Sequence, residues 1–128
     1  MDTVLDLIRR DQETLVESLR RFLKMKSIAA QDLGMQETAG YLASAMQEMG
    51  LDAGLLTLDG AFPAVFGSYR PPGATRTLLI YGHYDVQPVE PLDLWHSDPF
   101  GAEVRNGRIY SRGATDDKGN LWATLMAF

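Results

Sequence analysis

The run Thr77–Tyr81 (TLLIY) constrains the fold more than any other segment, because it is largely apolar and ends at Gly82. A strand that is buried on both faces has this pattern, as in a parallel or mixed sheet covered by helices. His83 and Asp85 follow at once, and residues two apart in an extended backbone point to the same face. Because ligands of open α/β sheets bind beyond the carboxyl ends of strands, the sequence predicts a functional site here.

Helical periodicity dominates the N-terminal part of the chain. Apolar residues at three- and four-residue steps predict a helix over residues 3–25, capped by Asp2 or Thr3. The stripe expected to face the core comprises Val4, Ile8, Leu15, Leu19 and Phe22. The face expected in solvent carries Arg9, Arg10, Glu13, Glu17, Arg20 and Arg21. A second helix is predicted from Gln36 to Met49, and Gly50 is expected to follow its C-cap.

Beyond Gly50 the apolar pattern changes from a helical to a strand period. Residues 51–58 and 62–69 are predicted to form two strands around Asp59-Gly60. Asn106-Gly107 predicts the turn of a second, shorter hairpin. Prolines make residues 87–101 irregular, and residues 120–128 are expected to begin a helix or another buried segment. The predicted fold class is therefore α/β, with a mixed sheet flanked by helices in one domain.

Composition narrows the classes of function. A net charge of −5 argues against a nucleic-acid or anionic-membrane surface, which would need a basic stripe. Cysteine is absent, so any metal must take nitrogen and oxygen ligands. The first residues carry acidic side chains and no continuous apolar segment, unlike a secretory signal, and no run is long enough to cross a membrane. A cytoplasmic location is the default expectation.

Two pairs of residues carry possible metal chemistry. His83 and Asp85 could supply a metal ligand and the carboxylate that orients its ring, although a structural hydrogen bond would give the same pattern. Asp116 and Asp117 lie in a turn bounded by glycines, where a carboxylate can bridge two cations. The alternative for this second pair is an Asp N-cap on the following helix.

Taken together and in this order, three segments point to one family. They are YGHYDVQP (residues 81–88), WHSDPF (residues 95–100) and NGRIYSRGATDDKG (residues 106–119). The sequence closely resembles the dinuclear zinc exopeptidase family of aminoacylases, carboxypeptidase G, succinyl-diaminopimelate desuccinylase and carnosinase-like dipeptidases. Tyr84 between His83 and Asp85, with Gln-Pro after Val86, is most similar to the dipeptidase branch.

The resemblance implies a role for individual residues. His83 matches the terminal metal ligand of one zinc, and Asp116 matches the carboxylate that bridges both zinc ions. Asp85 matches the catalytic carboxylate that holds the His83 ring. Asp117 matches a position that often follows a cis peptide bond in the family. His96, the other histidine of the chain, is expected to be an ordinary loop residue.

The implied activity is hydrolysis of an amide bond in dipeptides or small peptides. N-acyl amino acids are the alternative substrates, and a non-catalytic truncated fragment is the alternative from another class. The complete site would hold two zinc ions, with cobalt or manganese as other divalent metals. The partners are then a small peptide or N-acyl amino acid, with no nucleic acid and no membrane, and a homodimer is expected of the full-length protein.

The resemblance also implies residues that this sequence does not contain. Such enzymes need a Glu-Glu pair, which supplies the general base and a ligand, a further Asp or Glu, and a last His. No Glu and no His follows Asp116. We therefore expect residues 1–128 to be the N-terminal portion of a metallopeptidase catalytic domain, without the lid or dimerisation domain and inactive alone.

Overall fold

The computed structural model describes residues 3–128 as helices and short antiparallel hairpins. The helices are α1 (Val4–Lys24), α2 (Met35–Glu48) and α3 (Lys118–Met126), with single 3-10 turns at Ala29–Gln31 and Leu92–Leu94. The strands are β1 (Asp52–Leu56), β2 (Ala64–Ser68), β3 (Glu103–Arg105) and β4 (Arg108–Tyr110). The predicted α/β class is confirmed, since the chain combines helices with strands.

Helix α1 begins with a capping box at Thr3. The Thr3 hydroxyl accepts a hydrogen bond from the Asp6 amide at 3.2 Å, and the Asp6 carboxylate accepts one from the Thr3 amide at 3.1 Å. Both bonds satisfy amide groups that a helix N-terminus leaves without partners. The predicted cap at Thr3 is therefore confirmed, whereas Asp2, its alternative, lies outside the described residues.

The apolar stripe of α1 is buried only towards its C-terminal end. Phe22 and Leu23 are fully buried, whereas Val4 and Ile8 are exposed, so the prediction that the whole stripe faces the core is wrong. The N-terminal turns of α1 are exposed to solvent, whereas its C-terminal end packs in the core. One member of the predicted solvent face also departs from expectation, because the Arg20 guanidinium donates to the Ala102 carbonyl at 2.8 Å.

Helix α2 and the first hairpin follow the sequence prediction closely. Gly50 follows the C-cap with a φ of 90°, a conformation that favours glycine. Strands β1 and β2 pair in antiparallel register from Asp52 opposite Ser68 to Leu56 opposite Ala64. In the second hairpin, Asn106 and Gly107 both have positive φ, as the turn between two closely paired strands requires.

Three helices meet at an aromatic cluster. The rings of Phe22 and Trp122 have centroids 5.0 Å apart, and those of Tyr41 and Trp122 are 5.8 Å apart. The Trp122 indole N–H donates to the Ser18 hydroxyl at 3.0 Å, which satisfies its one polar group. The core therefore joins α1, α2 and α3 through side chains that are distant in sequence.

The strand predicted over Thr77–Tyr81 is not formed, and this prediction is wrong. Leu78 and Leu79 are each 83% exposed and Tyr81 is 89% exposed. A strand requires a neighbour to satisfy its backbone groups. Among the described residues, β1–β2 and β3–β4 form two separate two-stranded antiparallel sheets, so neither offers a mixed sheet for this run to join.

Within residues 3–128, no helix is both long and apolar enough to cross a bilayer.

Removing the Phe22 ring is expected to cost about 3–5 kcal/mol of unfolding free energy, because the ring is fully buried among aromatic neighbours. Urea unfolding of Phe22→Ala, followed by tryptophan fluorescence, measures this loss. Phe62→Ala is the matched control, and its partly exposed ring should cost only about 0.5 kcal/mol. Equal losses in the two variants would show that the three helices do not depend on this cluster.

Candidate metal centre

The His83 ring is fixed on one side by Asp85. Its Nδ1 atom lies 3.0 Å from Asp85 Oδ1 and 3.1 Å from the Asp85 carbonyl oxygen. Both oxygens accept hydrogen bonds, so this geometry favours the tautomer that carries the proton on Nδ1. In that tautomer the other ring nitrogen, Nε2, presents a lone pair away from Asp85.

The Nε2 atom of His83 faces a second carboxylate. It lies 3.0 Å from Asp116 Oδ1, across the loop that precedes α3. The Asp116 side chain is 85% exposed and that of His83 is 40% exposed, so the pair opens to solvent. An imidazole nitrogen and a carboxylate oxygen at this separation can both contact one cation.

The two carboxylates beside the His83 ring favour a positive charge at that ring. Burial lowers the pKa of His83, but the hydrogen bonds to Asp116 and Asp85 outweigh it, so the pKa is raised above its ordinary value. Two carboxylates on opposite sides of one ring stabilise a charge that sits between them. A proton or a metal ion can supply that charge.

Asp117 connects the two segments that carry the pair. Its Oδ2 atom accepts a hydrogen bond from the His83 amide at 3.2 Å, and its Oδ1 atom accepts one from the Asn120 amide group at 3.2 Å. Asp117 occupies the N-cap position of α3, yet its side chain makes no capping hydrogen bond to that helix. The Asp116–Asp117 peptide bond is cis, as the family resemblance implied.

Small residues allow the two segments to approach closely. A Cβ atom on Gly119 would lie 1.9 Å from the Ala114 carbonyl oxygen, and one on Gly82 would lie 2.9 Å from Asp117 Oδ2. The first contact involves backbone, which cannot move aside as a flexible side chain can. Gly119 is therefore required by the path of the loop that carries Asp116.

Lys118 follows the two aspartates and is completely buried. Its ammonium group donates to the carbonyl oxygens of Phe22 at 3.3 Å and Met25 at 2.6 Å, at the end of α1. Burial lowers the pKa of Lys118 to about 8. No role for Lys118 was predicted from the sequence, because its partners lie far away along the chain.

The pair lies at a cavity of about 210 Å³. Its walls come from both segments and include His83, Asp85, Gln87, Arg112, Thr115 and Asp116. His96 does not line this cavity, and its exposed position agrees with the expectation of a loop residue. Arg112 fixes the cavity wall, because its guanidinium lies over the Trp95 ring at 5.1 Å and donates to the Pro88 carbonyl.

The residues present fit part of a zinc site. Zinc binds imidazole nitrogen and carboxylate oxygen at about 2.0–2.2 Å, so two such ligands of one ion lie about 3 Å apart. The 3.0 Å separation of His83 Nε2 and Asp116 Oδ1 meets this condition. Across residues 3–128, however, no group of three or more His, Cys, Asp or Glu side chains is arranged to hold a metal ion.

Comparison with known proteins shows what the chain is similar to. Residues 79–128 match the model of peptidase family M20/M25/M40, and these residues include the whole His83–Asp116 pair. The segment that carries the candidate metal centre is therefore similar to this family. The Cys-Gly metallodipeptidase of Schizosaccharomyces pombe is 35% identical over 99% of the chain. A succinyl-diaminopimelate desuccinylase of Nitrosococcus oceani is 36% identical over 88% of the chain.

Solved structures of family members share the fold. An M20 family metallo-carboxypeptidase of Sulfolobus solfataricus is 45% identical over 88% of the chain, with a TM-score of 0.83. Human carnosine dipeptidase 1 is 26% identical over 94% of the chain, with the same TM-score. The chain spans only 26% and 28% of these two proteins, 29% of the S. pombe relative and 28% of the Nitrosococcus relative. It therefore corresponds to less than a third of the length of each relative.

Changing Gly119 to Ala is expected to lower the unfolding free energy by about 2 kcal/mol or more, because the new methyl group meets a backbone oxygen. Gly40→Ala is the matched control: Gly40 lies within α2 with nothing near its Cβ position, and alanine there should stabilise by about 0.5–1 kcal/mol. Urea unfolding measures both changes. A Gly119→Ala variant as stable as the original chain would contradict the close approach of the loop.

Proposed function

We propose that this chain supplies part of a dinuclear zinc site in a hydrolase that cleaves the amide bond of dipeptides or small peptides. The observation that carries the proposal is the position of the His83 ring. Its Nδ1 atom is held by Asp85 while its Nε2 atom faces the Asp116 carboxylate at 3.0 Å. Similarity to the peptidase family gives this arrangement its chemical meaning.

The proposed roles follow from these contacts. His83 would hold one zinc ion through Nε2, and Asp116, whose carboxylate has two oxygens, would help to hold both ions. Asp85 acts through His83, because a hydrogen bond to Nδ1 fixes the tautomer and raises the basicity of the metal-binding nitrogen. Asp117 keeps the His83 backbone in register with the loop that carries Asp116.

A bound pair of zinc ions supplies Lewis acidity towards the amide carbonyl and lowers the pKa of a water molecule towards neutrality. The residues of this chain hold and orient that centre and form one wall of the cavity. We propose that polypeptide outside residues 1–128 contributes the general base and the remaining ligands. The much greater length of the relatives supports this part of the proposal.

Dipeptides are the preferred substrates because several relatives are dipeptidases. Besides the S. pombe protein, a cysteinylglycine-S-conjugate dipeptidase of Corynebacterium striatum is 39% identical over 72% of the chain. The desuccinylases favour a second candidate, hydrolysis of an N-acyl group from an amino acid. The metal pair is common to both reactions, so residues outside it must distinguish them.

The activity is tested with a chimera in which residues 1–128 replace the matching part of the S. pombe metallodipeptidase. We expect zinc-dependent hydrolysis of Cys-Gly by the chimera and none by the 128-residue chain. His83→Ala and Asp116→Ala should each abolish turnover, and Asp85→Asn should reduce activity by about 10–100-fold. N-succinyl-diaminopimelate, assayed in parallel, tests the second candidate.

The matched control is His96→Ala in the same chimera, since His96 is exposed and lies outside the site cavity. Its activity should equal that of the unsubstituted chimera. Turnover by the 128-residue chain alone, or full turnover by the Asp116→Ala chimera, would overturn the proposal.

The 128-residue chain alone should bind zinc weakly. It provides His83 and Asp116, whereas a zinc site normally uses about three protein ligands or more. Isothermal titration calorimetry with zinc chloride is expected to show no tight stoichiometric binding. Formation of a stable complex with two zinc ions per chain would contradict this prediction.

We also propose a cytoplasmic location and a homodimer for the full-length protein. Fluorescence microscopy of the tagged protein and light scattering of the purified protein test these two points.

A further inference from the structure

Both segments of the candidate metal centre are attached to the same short stretch of backbone. This stretch, here named the α1 exit turn, comprises Phe22–Ser27, where α1 ends and the chain turns away. It lies behind the site and contains none of the proposed metal ligands. His83 and Asp116 are far apart in sequence, so their separation depends on what each segment is fixed to.

Lys118 fixes the segment that carries Asp116. Its side chain is fully buried and its ammonium group donates to the Phe22 and Met25 carbonyls of the exit turn. The last carbonyls of a helix have no partners within the helix, and a cation there also interacts favourably with the helix dipole. The ammonium lies 5.0 Å from the centre of the Phe22 ring, which adds a cation–π contact.

Ser27 fixes the segment that carries His83 and Asp85. Its hydroxyl donates to the Tyr84 carbonyl at 2.5 Å, and its own carbonyl accepts from the Val86 amide at 2.7 Å. Ser27 is fully buried, so water cannot replace these bonds readily. The two bonds bracket Asp85, the residue that orients the His83 ring.

We propose that the α1 exit turn is the common anchor of the metal centre, and that Lys118 and Ser27 are positioning residues for Asp116 and His83. The proposal rests on the proposed function of those two residues as metal ligands. Besides the contact between His83 Nε2 and Asp116 Oδ1, the hydrogen bond from the His83 amide to Asp117, at 3.2 Å, links the two segments directly. The buried exit turn adds two hydrogen bonds to each of the two segments. These bonds set the distance between His83 Nε2 and the Asp116 carboxylate.

The test uses the metal-free 128-residue chain, so that it does not depend on hydrolysis. The readout is the nuclear Overhauser effect between the His83 ring protons and the Asp116 β-protons, measured under conditions in which the chain is folded. The original chain should show this effect. Lys118→Met keeps the length of the side chain but removes its donor, and it should lose the effect while the β3–β4 amide signals persist.

Lys24→Met is the matched control, because Lys24 lies in the last turn of α1 with an exposed side chain. It should retain the His83–Asp116 effect. The ring signals of His96, the other histidine, serve as an internal reference and should not change in any variant.

Two results would overturn the proposal: absence of the effect in the original folded chain, or its persistence in folded Lys118→Met. If Lys118→Met does not fold, Ser27→Ala decides, since it removes the hydroxyl bond to Tyr84 with little change in volume. Loss of the effect in folded Ser27→Ala supports the anchor, and its persistence overturns it. Because no activity is measured, failure here leaves the chimera experiment as a separate test of function.

Discussion

The packing of Phe22 is the interaction on which the rest of the structure depends. Its ring lies against Trp122 of α3 and Tyr41 of α2, while its carbonyl oxygen accepts a hydrogen bond from Lys118. Burying an aromatic side chain contributes about 1.5–3 kcal/mol, and each favourable ring pair adds about 0.5–1.5 kcal/mol. A small chain with little other core gains much of its stability at this point. The same residue therefore links the hydrophobic core to the loop that carries Asp116.

The charged side chains near the site are arranged so that the carboxylates of Asp85 and Asp116 face the His83 ring and not the nearby lysine. Lys118 is the buried cation nearest the aspartates in sequence, but it points towards helix carbonyls rather than forming an ion pair with them. Asp85 and Asp116 both pair with His83, whose pKa is raised as a result. The negative charge of the carboxylates thus remains directed at the imidazole. This arrangement suits an ion that binds between an imidazole nitrogen and a carboxylate oxygen.

Local sequence signals predicted local structure well. The helix cap at Thr3, the glycine after α2 and the Asn106-Gly107 turn depend on residues within a few positions of one another, and each was found. The family resemblance also implied that His83 and Asp116 lie together, and their side chains are 3.0 Å apart, although the strand expected before His83 is not formed. The roles of those residues as metal ligands remain predictions.

Features that depend on distant partners were missed. Lys118 donates to residues that precede it by 93 and 96 positions, and no periodicity or spacing reports such a contact. The strand prediction for Thr77–Tyr81 was wrong even though its signal is local. The apolar pattern is typical of a strand, but strand formation requires a pairing neighbour that the two hairpins do not provide. Pattern therefore predicts which face of an element is apolar, while the available partners determine whether that face is buried.

The described residues provide two candidate metal ligands, His83 and Asp116, and several contacts that hold these two side chains in place. Asp85 holds one nitrogen of the His83 ring, Asp117 links the two segments, and Lys118 and Ser27 join both to the end of α1. If these contacts order His83 and Asp116 before metal binds, the binding free energy need not offset the entropy of ordering them. Such preorganisation lets the remaining ligands determine affinity and lets residues outside the pair determine substrate.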